Sequence, residues 1–164
     1  LEAGSPICNI DFGSSNLPAE TGVLHDRVHF EKGCYLGQEV VARMDALGHP
    51  KQTLVAVDFA EDVPRDDQGM PIQPVTGAPV FSPDKPDAPI GAITSSTLAP
   101  MVGSVPIALA MLKWAHAKPG TELLVEAEGQ QIPATVREAL AYWSADGSTG
   151  ESAGESADSP AAEA

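Results

Sequence analysis

Residues 122–137 read Glu122-Leu-Leu-Val-Glu-Ala-Glu128-Gly129-Gln130-Gln131-Ile-Pro-Ala-Thr-Val-Arg137. Polar and apolar residues alternate on either side of Gly129-Gln130, which is the period of a half-buried strand broken by a tight turn. The segment therefore predicts a β-hairpin with Glu122–Glu128 and Gln131–Arg137 as its arms. Working back toward the N-terminus, Val105–Trp114 is a continuous apolar run. Gly103 and Pro106 at its start favour a buried strand over a helix. Ile90–Leu98 is rich in Ile and Thr, Ala78–Phe81 gives a brief strand, and Thr53–Phe59 alternates with β-branched residues. Seven prolines between residues 60 and 89 (positions 64, 71, 74, 79, 83, 86 and 89) mark turns rather than helices. Five or six short strands with no helix between them, over about 90 residues, predict a small closed antiparallel barrel.

Composition agrees with that architecture. Of 164 residues, 43% are hydrophobic and only 5% aromatic, so the core must be built from Val, Leu, Ile and Ala. Fifteen Gly and fifteen Pro imply many turns. The formal charge of −14 repels phosphate backbones at long range and argues against nucleic acid as a partner. No apolar run has the length of a bilayer span and no signal-peptide pattern opens the chain, so a soluble, unsecreted protein is expected. Two cysteines, Cys8 and Cys34, are too few for a disulfide framework and lack CxxC or CxxH spacing, which suits a reducing compartment. Residues 144–164 contain no Val, Ile, Leu or aromatic residue to offset the entropy of ordering, and predict a disordered acidic tail. The chain opens Leu-Glu-Ala-Gly-Ser-Pro without an initiator Met, as if cut from a longer protein.

Ahead of the barrel, Pro18-Ala19-Glu20 suits a short helix with Pro in its first turn. Leu36, Val40, Val41, Met44 and Leu47 recur at helical spacing, with Glu39 in the first turn and Gly48 after the end. Directly before this helix stands Lys32-Gly33-Cys34-Tyr35-Leu36-Gly37-Gln38-Glu39. Gly33 and Gly37 permit positive φ or close backbone approach, and residues 37–39 fall at a helix N-terminus that attracts anions. A cysteine beside such an end, with Lys32 nearby, is a candidate reactive thiol. On residue chemistry alone, the simpler alternative makes Cys34 a small buried side chain and Tyr35 a packing aromatic.

The octapeptide 32–39 resembles the signature of the YgfZ family, folate-binding proteins implicated in iron–sulfur cluster assembly and repair. Glu2-Ala3-Gly4-Ser5-Pro6, and Pro18-Ala19-Glu20 followed by Phe30-Glu31-Lys32, are similar to that family's approach to the motif, although the usual Arg before the Glu is absent. Gly91-Ala92-Ile93-Thr94-Ser95 and Ile107-Ala108-Leu109-Ala110 look like strands of the C-terminal barrel shared with aminomethyltransferases. The related glycine-cleavage T-protein carries an acidic or other residue and Phe where Cys34 and Tyr35 stand, so the cysteine form points to the YgfZ side.

The resemblance implies an α+β fold. Residues 1–49 would be the end of a folate-binding domain, 50–143 a six-stranded antiparallel β-barrel, and 144–164 the tail. It implies tetrahydrofolate, or a one-carbon-substituted form, as ligand. Lys32, Tyr35, Gln38 and Glu39 would be cofactor-binding residues and Cys34 the reactive thiol. Glu20 corresponds to the carboxylate that holds the pterin ring, with a helix first-turn role as the equal alternative. Iron–sulfur enzymes or their assembly factors are the implied partners, with no membrane and no nucleic acid. The implied compartment is the cytoplasm, or the mitochondrion in a eukaryote. An aminomethyltransferase is the second reading and a ligand-free interaction barrel the third. The acidic residue used in aminomethyl transfer lies in the half of the family that precedes this segment.

Other residues read more plainly. His25 and His29 are four apart, yet Val28 and Phe30 suggest a strand and no third ligand follows, so no metal site is assigned. Arg43, one helical turn beyond Glu39, is placed to pair with it at i,i+4 or to face an anionic glutamate tail, the pair being the simpler reading. His49 and His116 are expected to face solvent. Asp58, Glu61, Asp62, Asp66 and Asp67 form an acidic strand end and loop. Trp114 and Trp143 are expected to pack on the barrel.

Overall fold

The computed structural model describes residues 1–60 and 62–142; the tail expected over 144–164, and Trp143, lie outside the described residues. Six strands form a closed antiparallel barrel: β1 (Gln52–Phe59), β2 (Pro79–Ser82), β3 (Lys85–Ala99), β4 (Val105–Lys113), β5 (Glu122–Ala127) and β6 (Gln130–Val136). Around the barrel the order is β1-β4-β3-β2-β5-β6, and β6 closes onto β1 through Val57↔Val136 and Phe59↔Ala134. Closure removes the edge strands that would otherwise present unpaired N–H and C=O groups. All six expected strands are present, and the 105–114 run is a strand as read.

Why that run is apolar throughout follows from the packing. Val57, Val80, Ile93, Ala110, Leu112 and Val125 fill the barrel interior. A second cluster, Leu54, Ala56, Ala99, Ile107, Leu109 and Tyr142, lies on the opposite faces of β1 and β4, with Leu1, Met111 and Leu140 against it. These two strands are thus buried on both faces and lose the polar alternation of a strand with one wet side. β5 and β6 keep it, with every second residue buried.

Two polar anchors hold the covering segments down. The Tyr142 hydroxyl sits between β1 and β4: it accepts from Val57 N at 2.9 Å and Ala108 N at 3.3 Å and lies 2.8 Å from the carbonyl oxygens of both residues. Burial, and then the negative charge of Asp58, push its phenol far above the ordinary tyrosine range. Asp11, itself buried, accepts from Ile7 N and Thr94 Oγ1 at 2.8 Å and from Ser95 Oγ, pinning the N-terminal segment to β3 where its register shifts. Gly91 sits where β3 lies tight against β4: a Cβ there would stand 2.2 Å from the Met111 carbonyl oxygen.

The structure shifts several expectations. The hairpin turn is Glu128-Gly129, one residue earlier than read, because Ala127 pairs with Gln130 and both turn residues take positive φ (48° and 78°). β3 begins at Lys85 despite Pro86 and Pro89, since its first five residues project beyond the core and are exposed. Asp58 lies at the end of β1, as read, and is ion-paired there: both its oxygens meet Arg137 Nη1, at 3.0 and 3.3 Å. Asp66 Oδ1 likewise closes its own turn by accepting from Gln68 N and Met70 N. Trp114 does not pack on the barrel wall. It is 43% exposed and stacks on His49, while His116 is half-buried rather than solvent-facing.

Candidate functional site

The residues picked out by the sequence lie in the stretch between the N-terminal segment and β1. Pro18–Glu20 forms a 3₁₀ turn, followed by α1 (Leu24–Arg27) and α2 (Gln38–Leu47). Residues 28–30 are not a strand. His25 sits in α1 instead, with its ring 5.6 Å from that of Phe30. Among the described residues no group of three or more His, Cys, Asp or Glu side chains is arranged to hold a metal ion.

Gly37 precedes α2 in the left-handed conformation, φ 88°, a turn that a side-chain-bearing residue adopts only with strain. This delays the helix start from Leu36 to Gln38 and leaves Leu36 wholly exposed. Gln38 N is bonded to Tyr35 O at 3.2 Å, so the loop folds back on the helix start. Lys32, Cys34 and Glu39 are exposed; Tyr35 and Gln38 are half-buried. Cys34 is therefore an accessible thiol rather than a core residue, and Cys8 is free as well. Gly33, unlike Gly37, has an ordinary negative φ. Glu39 pairs with Arg43 at 3.0 Å, with 86% and 70% of the two side chains in solvent, an arrangement that adds little stability.

Glu20 is buried, at 8% exposure. Its Oε2 accepts from Asn16 Nδ2 (2.9 Å), its own turn's Leu17 N (3.3 Å) and Gln52 Nε2 (3.4 Å). The bond from Leu17 N is the one the first-turn role requires, and Gln52 ties the carboxylate to the start of the barrel. That partner carries no sequence signal, being 32 positions away. The structure thus joins Glu39 to Arg43 and Glu20 to Gln52, and leaves Lys32 and Cys34 exposed with Tyr35 half-buried beside them. Two open clefts, each of about 480 to 490 Å³, lie elsewhere. One is bordered by Gly4, Gly22, Asp26, Thr53 and Arg137, the other by Asp58, Phe59, Glu122 and Thr135. Neither is lined by a residue of 32–39.

With this geometry in view, the relationships of the chain are informative. Residues 63–142 match the model of the glycine cleavage T-protein C-terminal barrel domain. A YgfZ protein of Yersinia enterocolitica, named as tRNA-modifying, is 40% identical over 55 residues, which is 33% of this chain and 17% of that protein. The chain belongs to the superfamily of glycine cleavage T-proteins and YgfZ. Within it, the mitochondrial aminomethyltransferase of Gallus gallus is 30% identical over 141 residues, 83% of this chain and 32% of the relative. An aminomethyltransferase of Streptomyces avermitilis is 37% identical over 126 residues, 74% of the chain and 30% of the relative. The crystal structure of aminomethyltransferase T of the glycine cleavage system from Bartonella henselae superposes with a TM-score of 0.66 at 23% identity, over 84% of this chain and 35% of that one. The superfamily's barrel and the barrel described above are the same fold. The chain spans about a third of the length of the aminomethyltransferases it matches.

Proposed function

We propose that this protein binds tetrahydrofolate, or a one-carbon-substituted form, in the manner of YgfZ, and supports iron–sulfur cluster assembly or repair with Cys34 as its reactive thiol. The observation that carries the reading is the Lys32–Glu39 octapeptide, held outside the barrel by the Gly37 turn with Cys34 in solvent. A thiol kept for packing would be buried; this one is displayed. Around it, Tyr35 offers a ring for stacking on a flat heterocycle, Gln38 offers an amide donor and acceptor, and Lys32 offers a charge for an anionic tail. Glu20 would meet the pterin only through the carboxylate oxygen that its own turn leaves open. Bound folate would supply a one-carbon carrier; the residues named here bind and orient it.

The acidic surface, −14 overall, favours small-molecule and protein partners over a nucleic acid, even though related YgfZ proteins are named as tRNA-modifying. A cytoplasmic setting, or a mitochondrial one in a eukaryote, suits two free thiols. Calorimetric titration of tetrahydrofolate into the complete natural polypeptide tests the ligand, and saturable binding is expected. Replacing Cys34 by Ala tests the thiol. A fall in cellular iron–sulfur enzyme activities is expected, and unchanged activities would remove the proposed role.

A second reading, tetrahydrofolate-dependent aminomethyl transfer, is favoured by the aminomethyltransferases that match along 74% to 83% of the chain. Transfer of an aminomethyl group from a lipoyl carrier to tetrahydrofolate separates it from the first. Absence of any folate binding would leave the barrel as a protein-contact module.

A further inference from the structure

α2 is held to the rest of the molecule at few points. It packs against the 3₁₀ turn Pro18–Glu20, while Glu39, Val40 and Arg43 on its surface are largely in solvent. After Leu47 the chain runs extended through Gly48 (φ −148°, ψ −174°) to a buried Pro50, and Lys51 O accepts from Trp114 N at 3.0 Å. Between helix and anchor stands His49. Its ring lies parallel to that of Trp114, at a 2° interplanar angle with centroids 5.4 Å apart, an offset stack. Trp114 opens the 3₁₀ turn that follows β4 and keeps 43% of its surface exposed, so barrel packing alone does not explain its position.

We propose that the His49–Trp114 stack is a clamp that fixes the angle of the signature helix on the barrel and so the position of the Cys34 loop. The lever is long for its footing. Ten residues of α2 span about 15 Å, so a tilt of about 20° about His49 would carry the helix start by about 5 Å. Such a displacement exceeds the tolerance of a hydrogen-bonding or stacking site. The clamp places a positioning pair at the far end of the helix from the thiol it governs. It stands on these contacts alone and holds whichever ligand the loop receives.

The test uses the whole chain with Cys8 replaced by Ser and spin labels on Cys34 and on Glu126→Cys, an exposed position of β5. Pulsed dipolar spectroscopy then reads the separation between loop and barrel. His49→Ala should shift or broaden the distance distribution by several ångströms, and Trp114→Ala should do the same. His49→Phe, which keeps a stacking ring, should restore the parent distribution. A His49→Ala distribution identical to the parent overturns the proposal, as does failure of His49→Phe to restore it. Loss of the cooperative unfolding transition in His49→Ala would also overturn it, since the stack would then hold the fold rather than the angle.

Discussion

The barrel and the signature segment before it are built on opposite terms. In the barrel, Val57, Val80, Leu109, Leu112 and Val125 are fully buried, and the polar groups that enter it are satisfied, down to the four backbone atoms around the Tyr142 hydroxyl. In the segment from Leu24 to Lys51, Phe30, Leu36 and Val40 face solvent, and four basic residues balance four acidic ones, so the net charge of −14 resides elsewhere in the chain. One region spends its apolar residues on its own stability. The other keeps them, together with a free thiol, on display. The two stretches therefore differ in what their side chains contribute to the fold, and substitutions should separate them.

The largest separation is expected from a matched truncation. Leu112→Ala empties a site in the barrel interior and should lower unfolding free energy by about 3 kcal/mol, whereas Val40→Ala on α2 should change it by less than about 0.5 kcal/mol, both read from urea titration. Gly91→Ala comes next. Its new Cβ would collide with the Met111 carbonyl, a backbone atom with little room to move, so a loss of about 2 kcal/mol is expected from the same titration. Tyr142→Phe removes the hydroxyl and leaves backbone groups of Val57 and Ala108 unpaired, at a cost of about 1 to 3 kcal/mol.

The same residue gives a pH signature. An unfolded tyrosine ionises near pH 10, while burial holds the Tyr142 proton in the folded state to a higher pH. Its contribution is thus fully present below about pH 10 and declines as pH rises beyond that, by up to about 1.4 kcal/mol per pH unit. Unfolding titrations of parent and Tyr142→Phe should converge as pH climbs from 9 to 11. A constant gap would place the phenol in water. The smallest expected effect is Cys34→Ala, within about 0.5 kcal/mol of the parent, since the thiol supports no packing.

Much of the barrel was legible because its determinants are local. Strand period, Gly-bearing turns and the proline-rich 60–89 stretch gave all six strands, and even the doubly buried β4 announced itself as an unbroken apolar run. What escaped was long-range. The Tyr142 plug reaches 85 positions back to Val57, Asp11 reaches 83 forward to Thr94, and Arg137 reaches Asp58 across 79. No periodicity encodes such partners. The octapeptide stood out for its unusual residues rather than its pattern, and its exposure was the part that residue chemistry could not decide. A buried small cysteine was the plainer expectation, and the structure leaves the thiol exposed. The placement of Trp114 escaped as the other long-range contacts did, since its stacking partner His49 lies far away in the sequence.

Hydrogen exchange with and without tetrahydrofolate, on the complete natural polypeptide, tests the division of labour most directly. Added ligand should slow exchange of backbone amides in residues 32–41 and leave β1, β4, β5 and β6 unchanged. Protection confined to the barrel strands, or none in 32–41 at saturating ligand, would contradict it.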